Sequence, residues 1–141
     1  MSAHATSPEV QLRTYKLIFT VIWFAILGGL VMIQLFLGQS KPGQPAEPNE
    51  SLTGLVGLAP LMVSIVVRWL VLPRFTVPQQ ALPVFILGLT MAEICGFLGV
   101  FLGGPYRDHL FILGLLGIVQ FAPFLMPRLF QPPGSGFRRQ D

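Results

Sequence analysis

Apolar and polar positions fall into long blocks along this chain. Four apolar runs, at residues 17–38, 52–72, 81–104 and 110 to about 126, are separated by short stretches rich in Pro, Gly and charge. The runs lack the period-two alternation that marks the strands of a membrane barrel. Each comes near the ~20 residues with which an α-helix crosses ~30 Å of hydrocarbon. In lipid such a segment must satisfy its own backbone N–H and C=O groups, which a helix does. The pattern therefore predicts an all-α fold, a four-transmembrane-helix bundle with helices at about 17–38, 52–72, 81–104 and 110–127. A tail over 1–16 precedes this domain of residues 17–130, and a flexible tail over 131–141 follows it. The fourth run is the shortest, holds Gln120, and is closed by Pro123 and Pro127.

Composition agrees with the pattern. Of 141 residues, 52% are apolar and 11% charged, with a mean hydropathy of +0.68, which leaves too little polar cover for a water-soluble domain. Arg13 and Lys16 ahead of the first run resemble the start of a secretory signal, but signal cores span only ~7–15 residues. An uncleaved anchor is the expectation. The one cysteine, Cys95, lies inside the third run and excludes an internal disulfide or a multi-cysteine metal site.

Charge sets the expected orientation, because Lys and Arg near span ends stay on the cytoplasmic side. Arg13, Lys16, Arg68, Arg74, Arg128, Arg138 and Arg139 fall on one side of the four-span arrangement, and only Lys41 and Arg107 on the other. Both termini are thus expected in the cytoplasm, in what reads as a bacterial inner membrane. Trp23, Trp69 and Tyr106 are candidate interface anchors, and Trp69 suits that role best. The segment 39–51 (QSKPGQPAEPNES) reads as an extended external loop, and its Asn49-Glu50-Ser51 is a glycosylation sequon in form only. Three prolines break the inner connection over 73–83, and Gly103-Gly104-Pro105 predicts a tight outer turn. The final arginine pair is placed to reach anionic headgroups, at about 1 kcal/mol per charge.

Small residues suggest which helices meet, since backbones in lipid associate where side chains are small. Gly88, Ala92, Gly96, Gly99 and Gly103 share one face of the third helix, and Thr53, Gly57, Pro60, Ser64 and Arg68 share one face of the second. The two stripes predict a packed hairpin of helices two and three.

The polar groups inside the runs carry any chemistry. Glu93 lies about twelve residues, or ~18 Å, into the third helix, near the midplane. An ionisable group there is a functional hypothesis by default. One reading is a neutral carboxyl that hydrogen-bonds Gln120, reckoned to lie at a similar depth, or a neighbouring subunit. The other is a proton or cation site. Few other polar side chains lie in the spans, which favours the first. Arg68 is four residues from the inner end of helix two, close enough to snorkel to the headgroups beside Trp69 and Arg74, and only water could link it to Glu93. Arg107, Asp108 and His109 cluster at the outer turn, where His is a candidate for pH sensitivity. No nucleophile and base are spaced for catalysis, and His109 at the membrane edge makes a poor axial ligand for a haem. No enzymatic activity, metal or cofactor is expected.

Residues 91–104 (MAEICGFLGVFLGG) resemble the acidic helix of rotary ATPase proteolipid subunits, where an Ala-Glu pair precedes small residues and the carboxyl carries the ion. Gln79-Gln80 ahead of that helix is also similar. The chain departs from that family in lacking a dense GxGxG run and in adding flanking helices. As a whole, with its opening YKLIFTVIWFAILGGLVMIQLF, it looks more like uncharacterised small four-helix bacterial integral membrane proteins, a resemblance that implies a bundle and no activity. The expected function is that of a non-enzymatic subunit, accessory or self-associating, with the lipid bilayer, other membrane subunits or itself as partners and no nucleic acid. The alternative is a small proton- or cation-coupled transporter or channel.

Overall fold

The structure, a computed structural model, describes residues 8–38, 50–102 and 106–130, which fold into helices and short helical turns with no strand among them. The external loop, the turn at Gly103-Gly104-Pro105 and the C-terminal tail lie outside the described residues, as do the side chains of residues 50–54. Helix α1 spans Pro8–Leu37, α2 Glu50–Val66, α3 Pro78–Leu102 and α4 Arg107–Val119.

Proline placement explains most of these bounds. Pro8 and Pro78 each open a helix, where a missing N–H costs nothing and the fixed φ suits the first turn. Glu9 adds a favourable charge at the positive end of α1. The first helix thus begins nine residues ahead of the apolar run, within the segment expected as a tail. Past Val66, α2 continues as a π-helical turn over Val67–Val71, with Leu72 N–H bonded to Val67 O, and then a 3-10 turn over Leu72–Arg74. The widened turn stands directly before Pro73, whose ring would clash with the carbonyl four residues back in a regular helix. Phe75 is extended, at φ −91° and ψ 130°, and ends the element.

Three helical stretches are long and apolar enough to cross a membrane: Glu9–Leu37, Leu55–Arg74 and Pro78–Phe101. The fourth element differs from expectation. α4 has 13 residues, about 20 Å of helix, and does not continue to residue 127. Pro123 is the cause. It cannot donate to the carbonyl of Val119, and it drives the preceding Ala122 to φ −54° and ψ 130°. Two 3-10 turns follow, Pro123–Leu125 and Pro127–Phe130.

α3 is the centre of the bundle and touches all three other helices, α4 most extensively. Helices α2 and α3 do pack against each other, as the small-residue stripes predicted, but the closest pair is α3–α4, whose glycines face one another. The contacts of its glycines give the register. A Cβ on Gly114 would stand 2.6 Å from Gly96 N, one on Gly117 2.9 Å from Ala92 Cβ, and one on Gly99 2.8 Å from Leu110 Cβ. The Phe121 ring fills the space over Gly88. Gly57 of α2 faces Leu110 of α4, Val67 reaches Gly88, and Ser64 is wholly buried with no hydrogen-bond partner among the described residues. α1 packs on α3 and α4, with Leu30 over Gly96 and Phe19 stacked 4.4 Å from Phe85.

Outward faces of α1 and α2 remain apolar. Val21, Phe24, Met32 and Phe36 on the first, and Leu55, Met62, Val66 and Leu70 on the second, are exposed. Large contiguous apolar surface of this kind belongs in hydrocarbon.

Candidate functional site

Two places in the bundle hold polar groups at the depth of the spans. The first is the C-terminal end of α4. A helix leaves its last carbonyls without intrahelical donors, and where no water is present they must be satisfied by protein. The turn after α4 bonds most of them, with Gln120 N–H on Leu116 O, Phe121 N–H on Ile118 O and Ala122 N–H on Val119 O, and two side chains from other elements add donors there. Trp23 of α1 is buried, and its Nε1 donates to Ile118 O at 2.8 Å. Arg68, in the π-helical turn after α2, donates from Nε to Gln120 O at 2.7 Å and from Nη2 to Leu125 O at 3.1 Å. A cation at a helix C-terminus also meets the negative end of the helix dipole.

Trp23 is thus a buried donor where an interface anchor was one expectation. Arg68 is half-buried and turned to α4. The contact of Val67 with Gly88 sets its neighbour Arg68 about nine residues into α3, close to the middle of that helix and deeper than its distance from the end of α2 implied. Its guanidinium lies 5.5 Å from the centre of the Trp69 ring, within range of a cation–π contact. Trp69 itself is exposed, and Arg74 is exposed in the 3-10 turn that closes the element.

The second place is Glu93, half-buried on α3. Its carboxylate faces α1, with Oε1 3.9 Å from where a Cβ on Gly29 would stand. It makes no hydrogen bond or ion pair among the described residues. Gln120 is not its partner. The α3–α4 register sets Gln120 level with Leu89, four residues or ~6 Å below Glu93. Gln120 instead offers its main-chain carbonyl to Arg68. Arg68 and Glu93 form no ion pair either.

The remaining sequence candidates are placed as follows. Cys95 is buried between α3 and α4, with Sγ donating to Leu110 O at 3.7 Å. Asp108 lies in the first turn of α4, where a negative charge suits the helix dipole, with His109 beside it and exposed. No group of His, Cys, Asp and Glu among the described residues is arranged to hold a metal. Two features escaped the sequence reading. Gly114 and Gly117 carry the α3–α4 contact, a signal present in their three-residue spacing. The donors to the end of α4 have no such signal, because their acceptors are main-chain atoms.

In comparisons with known proteins, no family model, curated protein or solved structure matches this chain.

Proposed function

We propose that this chain crosses a bacterial cytoplasmic membrane four times, with both ends inside, and serves as a non-enzymatic accessory or self-associating subunit of a membrane complex. The fourth crossing consists of α4 and the turns after it. Phe130 packs edge-on against Phe19 at 5.3 Å, and Phe19 stacks on Phe85, so the chain returns to the level of Phe19, near the start of the first apolar run, and of Phe85, seven residues into α3. The short helix is tolerated there because the turn after it bonds the carbonyls of Leu116, Ile118 and Val119, and Arg68 donates to Gln120 O just past its end.

Glu93 carries the reading of function. A carboxyl at the centre of a span costs about 2.5–3.5 kcal/mol on insertion scales, and this one has no partner within the described bundle. A second subunit seated on the α1–α3 side supplies the missing donor. Space exists on that side, since nothing stands within 4 Å of a Cβ on Gly28, and Val31 and Met32 beside it are exposed.

The same unpaired carboxyl suits a second reading, a small proton- or cation-coupled carrier with Glu93 loaded and unloaded at mid-membrane. Two substitutions separate the readings. Glu93→Gln keeps hydrogen bonding and removes titration, whereas Glu93→Ala removes both. For a subunit, the complex purified in mild detergent keeps its mass in Glu93→Gln and loses it in Glu93→Ala. An intact complex in Glu93→Ala overturns the structural role. Loss of proton flux in vesicles of Glu93→Gln, with assembly unchanged, establishes the carrier instead.

A further inference from the structure

Where the second span ends, the described chain encloses a crevice of about 370 Å³ between the turns after α2 and those after α4. Arg68, Trp69 and Phe75 line one wall, and Leu125, Pro127 and Arg128 the other. Its two charged side chains are both arginines, and no Asp or Glu lines it among the described residues. Arg128 is exposed and makes no hydrogen bond or ion pair among the described residues. Arg68 commits Nε to Gln120 O at the end of α4 and one Nη2 proton to Leu125 O in the turn after it, and its other N–H groups have no hydrogen-bond acceptor among the described residues. The rest of the lining is apolar and opens beside the exposed Trp69, at the end of the span Leu55–Arg74.

We propose that this crevice binds an anionic phospholipid, with the phosphate of its headgroup held between Arg68 and Arg128 and the start of its acyl chains against Trp69, Phe75 and Leu125. Two uncompensated guanidinium groups suit a phosphate, which arginine binds through paired N–H donors. The crevice runs from Arg68, six residues or ~9 Å inside the span Leu55–Arg74, to the end of that span, where the molecule already present is a lipid. The apolar walls favour a ligand that is both anionic and amphiphilic over a free anion. Arg68 would then join the main chain of α4 to the lipid through one guanidinium. The proposal depends neither on Glu93 nor on which side of the membrane the crevice faces.

Trp69 is a built-in reporter, because it is exposed at the crevice while Trp23 is buried. The test titrates the full chain in neutral detergent with brominated phosphatidylglycerol or brominated phosphatidylcholine and follows tryptophan fluorescence. The anionic lipid is expected to quench with the higher affinity, and Trp69→Phe to remove most of the quenching. Arg128→Gln is expected to lower the preference about fivefold, the factor equivalent to about 1 kcal/mol for one basic residue near an anionic surface. Arg13→Gln, an exposed charge on α1 that does not line the crevice, leaves the preference unchanged. Equal quenching by both lipids overturns the proposal. So does an equal loss in Arg13→Gln and Arg128→Gln, which would mean general surface attraction. Displacement of the brominated lipid by an equal concentration of inorganic phosphate also overturns it, since the site would then take the anion without the lipid.

Discussion

Gly28 and Gly114 have the same side chain and opposite surroundings. A Cβ on Gly28 meets nothing within 4 Å, while one on Gly114 would stand 2.6 and 2.7 Å from Gly96 N and Cα and 3.0 Å from Ala92 O. Those obstacles are main chain, so no rotamer change relieves them, and α3 and α4 would have to separate. Overpacking in a tight contact costs about 1–3 kcal/mol. Gly114→Ala is therefore expected to destabilise the bundle by that amount in a reversible unfolding titration from lipid–detergent mixtures. Gly28→Ala is expected to leave it unchanged or slightly stabilised, since Ala is the better helix former. Equal effects at the two positions would show that α3 and α4 do not approach this closely. At Gly117 the obstacles are the Leu61 side chain at 2.8 Å, which can move, and the fixed Ala92 Cβ at 2.9 Å, with main chain no nearer than 3.6 Å, so Gly117→Ala should fall between the two.

At the scale of one element, α4 stops after 13 residues, and Gln120 O, just past its end, takes no main-chain donor among the described residues. Charge-assisted hydrogen bonds contribute about 1.5–3 kcal/mol, and Arg68 makes two of them, to Gln120 O and Leu125 O. Arg68→Met retains a side chain of similar length and removes both. It is expected to cost at least one such bond in stability and to speed amide hydrogen exchange of Leu125, Met126 and Leu129, whose N–H groups close the 3-10 turns. Trp23→Phe removes one neutral bond and keeps an aromatic ring. Its cost should be nearer the ~0.6 kcal/mol average for interhelical hydrogen bonds in membranes. Exchange unchanged by Arg68→Met would mean that Pro123 and Pro127 hold the turns alone. The sequence is readable here only in part. Pro123 announces that a helix ends, and the spacing of Gly88, Ala92, Gly96 and Gly99 announces a close contact. The partner of that contact is not written in the stripe itself, since α2 and α4 both offer small residues. Leu110 and Phe121, whose side chains fit over the glycines of α3, decide for α4. The role of Arg68 was illegible for a different reason: main-chain acceptors leave no mark on residue identity.

For the whole molecule, the open matter is whether residues 106–130 complete a crossing, and the packing of Phe130 on Phe19 argues that they do. α1 and α3 run parallel, with Phe19 beside Phe85 and Leu30 beside Gly96, while α4 runs back along α3 from Gly99 to Gly88. That return covers eleven residues of α3, about 17 Å, and the two 3-10 turns extend it to the level of Phe19. A chain that turned back at Pro123 would instead leave Phe130 far from Phe19 and Phe85. Single cysteines at Ser2, Ser40 and Ser135, in a Cys95→Ala background, convert this geometry into a measurement. With four crossings, an impermeant maleimide added outside intact cells labels Ser40→Cys alone, and Ser2→Cys and Ser135→Cys react only after the membrane is opened. With three, Ser135→Cys reacts alongside Ser40→Cys. The second pattern would also move Arg128, Arg138 and Arg139 outward, leaving four basic residues in the cytoplasm, Arg13, Lys16, Arg68 and Arg74, against five outside. The bias of basic residues that orients membrane proteins would then nearly vanish, so the charges and the packing of Phe130 both favour the fourth crossing.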